Sequence, residues 1–168
     1  MLIGICSSCE FKFQADKISD NKIVSVPKYI TNVFPEKNGF VNDFENIFND
    51  KQKTELKTIV DNYENKFGRE IYIVTTSETY GFENYDALLS EFFQRWEIGK
   101  MPEQNGTLIL LSKENRKFAI SAGLEAQKYI TDEKINDIIG RKVIPKLKEN
   151  NFFGGTKIAV DEIIKMWE

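Results

Sequence analysis

The 168-residue chain contains no histidine. That absence removes Ser-His-Asp and Cys-His nucleophilic systems, histidine phosphatase chemistry and His-ligated zinc. Acid–base work is left to Asp, Glu, Lys, Tyr and Cys. A metal site would have to be built from oxygen ligands, which suit calcium, magnesium or manganese. A basic excess is missing too: 23 Lys and Arg stand against 26 Asp and Glu, a net charge of -3. Phosphate neutralisation needs clustered cations, so nucleic acid is not an expected partner. No window reaches the ~18 apolar residues of a membrane-spanning helix. What is present is ordinary for a soluble globular protein, with 41% hydrophobic and 29% charged residues. The length suits one domain with a real core and not two.

The only two cysteines, Cys6 and Cys9, lie in the first ten residues. Cys-Ser-Ser-Cys has the spacing of a redox or metal half-site. A redox motif should open a helix, and Glu10-Phe11-Lys12-Phe13 is a poor helix start. A four-thiolate zinc site needs a second pair, which the chain lacks. Met1 to Ile5 reads as the tail of a signal-peptide apolar region, and Ser7-Ser8-Cys9 resembles a bacterial lipoprotein cleavage site. Cys6 stands where such a site usually has an aliphatic residue. The expectation is a leader and tether in the cell envelope or periplasm, with a lipid on Cys9. An inert leader, and with it a cytoplasmic location, stays open. Residues 1–38 form the leader, tether and an extended arm, in which Ile23 to Val26 could add one strand.

From Gly39 onward the pattern is regular. Leu56, Ile59, Val60, Tyr63 and Phe67 recur at helical spacing and predict a helix over 50–67, with Asp50 as N-cap and Gly68 as terminator. Ile71 to Thr76 and Thr107 to Leu111 predict two strands covered on both faces. Between them Tyr85 to Trp96 carries a wide apolar stripe, read as a core-facing helix. Lys117 to Ser121 predicts an antiparallel third strand with one face more exposed. A helix follows from Asp132, capped by Thr131 and kinked or ended by Pro145. Phe152-Phe153-Gly154-Gly155 reads as a break before a last helix over 156–167. The order predicts an α/β layer fold with a mixed sheet and helices on both faces.

Several short motifs stand in a fixed order: Gly39-Phe40-Val41-Asn42-Asp43-Phe44, Trp96-Glu97-Ile98-Gly99-Lys100, Asn105-Gly106 ahead of the second strand, Arg116, Ile130-Thr131-Asp132, Ile144-Pro145 and Phe152-Phe153-Gly154-Gly155. Together they resemble the TPM domain family over residues 39–168. Its members include thylakoid-lumen acid phosphatases, a photosystem II repair factor, an acetylcholine-receptor modulator and bacterial envelope proteins. The resemblance implies a Rossmann-like α/β/α sandwich with a small mixed sheet. It also implies acid phosphatase activity in some members, and calcium or another divalent cation held by acidic loops. Asn42 and Asp43 match the family's Asn-Asp, Arg116 the arginine of its Asp-Arg pair, and Asp132 its Thr-Asp. Two departures weaken a cation site, because Asn115 replaces the aspartate of the Asp-Arg pair and Gln127 stands where a glutamate is expected. An alignment through Gly123-Leu124-Glu125 keeps that glutamate, shifted by two residues.

On this reading Asp43 and Arg116 are the catalytic candidates. Asp43 would be ligand or base and Arg116 a phosphate anchor. The metal candidates, for calcium or magnesium, are Asn42, Asp43, Glu78, Glu114, Asn115 and Asp132. Topology groups Asp43, Glu78, Glu114 and Asn115 at the carboxyl ends of the strands, where open α/β sheets bind ligands. If the third strand is antiparallel, residues 96–106 and 123–132 form a second patch at the other edge. Two functions follow: a protein-binding module tuned by a cation such as calcium, or a metal-assisted phosphatase acting on phosphomonoesters.

Overall fold

The two apolar runs without alternation form the middle of a five-stranded sheet in the computed structural model, which describes residues 7–10 and 33–168. Ser7–Glu10 is β1, Val41–Asp43 β2, Glu70–Thr75 β3, Gly106–Ser112 β4 and Lys117–Ala122 β5. Their order across the sheet is β1-β5-β4-β3-β2. β2, β3 and β4 are parallel, whereas β5 runs antiparallel to both β4 and β1. The expected strand at Ile23 to Val26, and Cys6, lie outside the described residues. The backbone of Cys9 pairs opposite Phe118, within the stretch read as a leader.

Side chains alternate from β3 and β4 into two cores. Ile71, Ile73, Ile109 and Leu111 face α1 (Asp50–Phe67), α3 (Asp132–Ile138), α4 (Ile144–Lys148) and α5 (Phe152–Trp167). Tyr72, Val74, Leu108 and Leu110 face α2 (Tyr85–Arg95), where Leu88, Leu89 and Phe92 are fully buried. The result is the expected α/β/α sandwich. Truncating a ring such as Phe92 to alanine costs ~3–5 kcal/mol, against ~0.2–1 kcal/mol for an exposed ion pair. The many i,i+4 and i,i+3 pairs on the helix surfaces are therefore secondary to the two cores. Ahead of Gly39, Phe34 packs on Phe92 at 4.6 Å, and the Trp96 indole donates to the Pro35 carbonyl at 2.9 Å. Residues 34–37 thus lie along α2, upstream of the expected domain start.

Four local expectations change. The N-cap of α1 is Asn49, not Asp50: Asn49 Oδ1 accepts the Gln52 amide and Gln52 Oε1 accepts the Asn49 amide, each at 3.0 Å. This reciprocal box satisfies two orphan donors that Asp50, already the first helical residue, cannot reach. β5 has no exposed face, because Phe118, Ile120 and Ala122 join one core and Ala119 the other. The helix reaching Pro145 widens into a π-turn over Ile139–Val143, so the proline falls in the first turn of α4, where its missing N–H is not needed. The break before the last helix is at Asn150, with φ 58°, and α5 already begins at Phe152. Gly155 is a helix residue there because a Cβ would sit 2.9 Å from Leu147 Cδ2.

Burial also sets two tyrosines apart. Desolvation pushes the hydroxyls of Tyr63 and Tyr72 up to about 12 from the ordinary value of 10.0. The unfolded chain releases these protons near 10, while the folded chain holds them to about 12, so stability falls as pH rises through that window. The native protein should show a tyrosinate absorbance step near pH 12 that Tyr63→Phe and Tyr72→Phe each reduce. Complete ionisation of all tyrosines near pH 10 in the folded protein would contradict this burial.

Candidate functional site

Parallel β2, β3 and β4 end together, and the antiparallel hairpin brings Lys113 to Arg116 to the same edge. Asp43 is the last residue of β2, and its side chain is only 2% exposed. Oδ1 accepts the Ile47 amide at 3.0 Å and the Thr75 hydroxyl at 2.5 Å. Oδ2 accepts the Phe48 amide at 3.0 Å and lies 3.5 Å from Lys53 Nζ. Three hydrogen bonds and one longer ion pair thus surround the carboxylate, which has about four lone-pair directions. Asp43 therefore shapes the turn into α1 and ties it to β3.

Asn42 is used in the same way. Its Oδ1 accepts the Asn38 amide at 2.7 Å and its Nδ2 donates to the Gly39 carbonyl at 3.0 Å. This closes the turn before β2. Asn115 Nδ2 donates to the Ser77 carbonyl at 2.7 Å and to Ser112 Oγ at 3.1 Å, fastening the β4–β5 turn to the loop after β3. Glu78, Glu114 and Arg116 stand exposed on the rim. Arg116 has a left-handed backbone, φ 53°, as the turn requires. Asp132 is not with them. β5 ends at Ala122 opposite Thr107, so Asp132 belongs to the other edge of the sheet. Among the described residues no three His, Cys, Asp or Glu side chains are grouped to hold a metal ion. Both side chains of the Asn-Asp pair are thus engaged in hydrogen bonds of the turns that flank β2.

One residue absent from the sequence reading belongs to this edge. Glu45 Oε2 accepts the Lys113 amide at 2.9 Å, and Oε1 accepts the Glu114 amide at 3.1 Å with Ser112 Oγ at 3.4 Å. Nothing local in the sequence signals it, because its partners lie 67 to 69 positions away.

The opposite edge is built differently. The stretch 97–104 folds against the starts of β3 and β4. Asn105 holds it: Nδ2 donates to the Gly68 carbonyl at 2.6 Å and Oδ1 accepts the Lys100 amide at 2.8 Å. The buried Glu70 carboxylate accepts the Gly99 amide at 2.9 Å. The backbones touch so closely that a Cβ on Gly99 would lie 2.5 Å from Gly106 N, and one on Gly123 2.2 Å from Gln104 O. Beside this seam opens a cleft of about 760 Å³, walled by Phe93, Ile98, Ala122 and Leu124, with Gln94, Gln104 and Gln127 among its polar groups. Its volume lies within the ~300–1,000 Å³ of ligand sites. Met101 (74% exposed) and Leu124 (49% exposed) contribute apolar surface to its lining. Gln127, the replaced glutamate of one alignment, donates to the Ala122 carbonyl at 2.8 Å. Glu125 pairs with Lys128. Trp96, 3% exposed, is core.

A family model described as the TPM domain matches residues 41–166. No curated protein sequence matches the chain. Among solved structures, the N-terminal domain of a protein from P. gingivalis is similar at 19% identity and a TM-score of 0.68, covering 76% of this chain and 80% of that one. The N-terminal domain of the cg2496 protein from Corynebacterium glutamicum is similar at 16% identity and a TM-score of 0.57, covering 86% and 85%. The BA42 protein from the psychrophilic bacterium Bizionia argentinensis gives 18%, 0.56, 73% and 80%. At these identities the likeness carries the fold alone.

The four-donor arrangement at Asp43 makes a quantitative expectation. Asp43→Ala strands two buried amides and a hydroxyl, and should lower stability by ~2–4 kcal/mol in urea unfolding, with Asp43→Asn recovering part of the loss. A loss below ~0.5 kcal/mol would mean the carboxylate is not a structural tie.

Proposed function

The chain belongs to the TPM domain family, and within it we propose a protein-binding module of the cell envelope, whose partner meets the cleft beside residues 97–104. The saturation of Asp43 by Ile47, Phe48, Thr75 and Lys53 is the observation that carries this reading. A metal-assisted phosphatase built on the Asn-Asp pair needs that carboxylate as ligand or base, and the chain has no histidine to take its place. The cleft, by contrast, joins exposed apolar surface at Met101 and Leu124 to glutamine side chains. Glu97 and Lys100 line it as well, one of each sign, so its chemistry suits an extended peptide segment with apolar side chains and no strong net charge. Apolar side chains would sit on Phe93 and Ile98, and the peptide backbone would pair with amides.

Two measurements test the reading. The protein should not hydrolyse p-nitrophenyl phosphate with or without calcium or magnesium, and neither ion should move its melting temperature, since a bound ligand stabilises by mass action. Turnover that Asp43→Asn abolishes, together with a calcium-dependent rise in melting temperature, would favour the phosphatase instead. A photo-cross-linking residue at position 101 or 124, in the native host, should give one discrete protein adduct that the same residue at position 148, on the exposed surface of α4, does not. Equal labelling from all three positions would overturn the assignment of the partner to the cleft.

A further inference from the structure

We propose that the β4–β5 turn is an oxyanion-binding nest and that Glu45 is its built-in occupant. The turn presents two successive backbone amides, Lys113 and Glu114, in one direction. Each bonds a different oxygen of the same carboxylate, at 2.9 and 3.1 Å. Successive N–H groups converging in a turn make an anion-binding concavity. Two oxygens of one planar or tetrahedral anion fit it as Glu45 does. The Ser112 hydroxyl serves both sides: it reaches Glu45 Oε1 at 3.4 Å and accepts the Asn115 amide at 3.1 Å. Asn115 Nδ2 also reaches that hydroxyl, at 3.1 Å. A neutral amide at position 115, in place of the aspartate implied by the family resemblance, keeps a second negative charge away from the nest.

The carboxylate is delivered from a fixed base. Glu45 lies two residues beyond Asp43, and its own amide donates to the Thr75 hydroxyl at 3.2 Å, the hydroxyl that in turn donates to Asp43. The β2 end therefore supplies two carboxylates with different tasks. Asp43 closes the turn into α1, and Glu45 reaches across the sheet edge to fill the nest. An external anion would have to displace a tethered one, whose effective concentration is millimolar or higher for a short link. The natural chain is consequently without affinity for small oxyanions at this edge. Removing one side chain uncovers the site. This inference stands independently of the cleft.

The test is a titration with sodium acetate, and separately with sodium sulfate, at constant ionic strength, read by the Lys113 and Glu114 amide signals. Wild type should show no saturable shift. Glu45→Ala should show one, with half-saturation in the millimolar range, and its melting temperature should rise with acetate more than that of wild type. Glu45→Gln, of the same shape, serves if the alanine variant does not fold. It keeps one acceptor and should show the same shift at higher concentration. A folded variant whose Lys113 and Glu114 signals do not saturate with either anion would overturn the proposal. So would a wild type that binds as well as the variant.

Discussion

The Asp43 carboxylate holds the carboxyl edge of the sheet together. It joins the end of β2, the turn into α1, the lysine one turn inside that helix and the last residue of β3. Hydrogen bonds to a charged acceptor are roughly twice as strong as neutral ones, and their loss leaves buried donors unsatisfied. The Asn-Asp pair thus ties the turns on both sides of β2.

Much of the fold was legible because its signals are local. The stripe from Leu56 to Phe67 and the left-handed Gly68 delimit α1 without tertiary information. The unbroken apolar runs of β3 and β4 report burial on both faces. What misled were features decided elsewhere. Asn49 and Asp50 are both capping residues side by side, and only the Gln52 side chain selects between them. β5 alternates in polarity yet is covered by helices on each side. Gly154 and Gly155 look like a stop, but within a helix they give close passage to the Asn151 side chain and to Leu147. The site was legible in part. The grouping of Asp43 with the β4–β5 turn, and the separation of residues 123–132, follow from strand direction. The saturation of Asp43 and the reach of Glu45 do not, since their partners lie up to 69 positions away.

The two edges of the sheet therefore divide the work. One is closed by paired polar groups and short fixed turns. The other is pinned at Asn105 and Glu70 but leaves apolar surface at Met101 and Leu124 uncovered. Apolar surface gathered beside a formed cleft differs from apolar residues scattered singly over a surface, which need no explanation.

The reversal of β5 has a further consequence for how changes combine. β4 spans Gly106–Ser112, so the edges stand roughly 20 Å apart at ~3.3 Å per residue. Substitutions beside Gly106 and beside Ser112 therefore fall outside the ~7–10 Å within which energies couple, and their effects should add. At the carboxyl edge the Thr75 hydroxyl donates to the Asp43 carboxylate, so changes at Asp43 and Thr75 remove one shared hydrogen bond and their costs will not equal the sum of each alone. The length of β4 thus decides which pairs of changes combine simply and which do not.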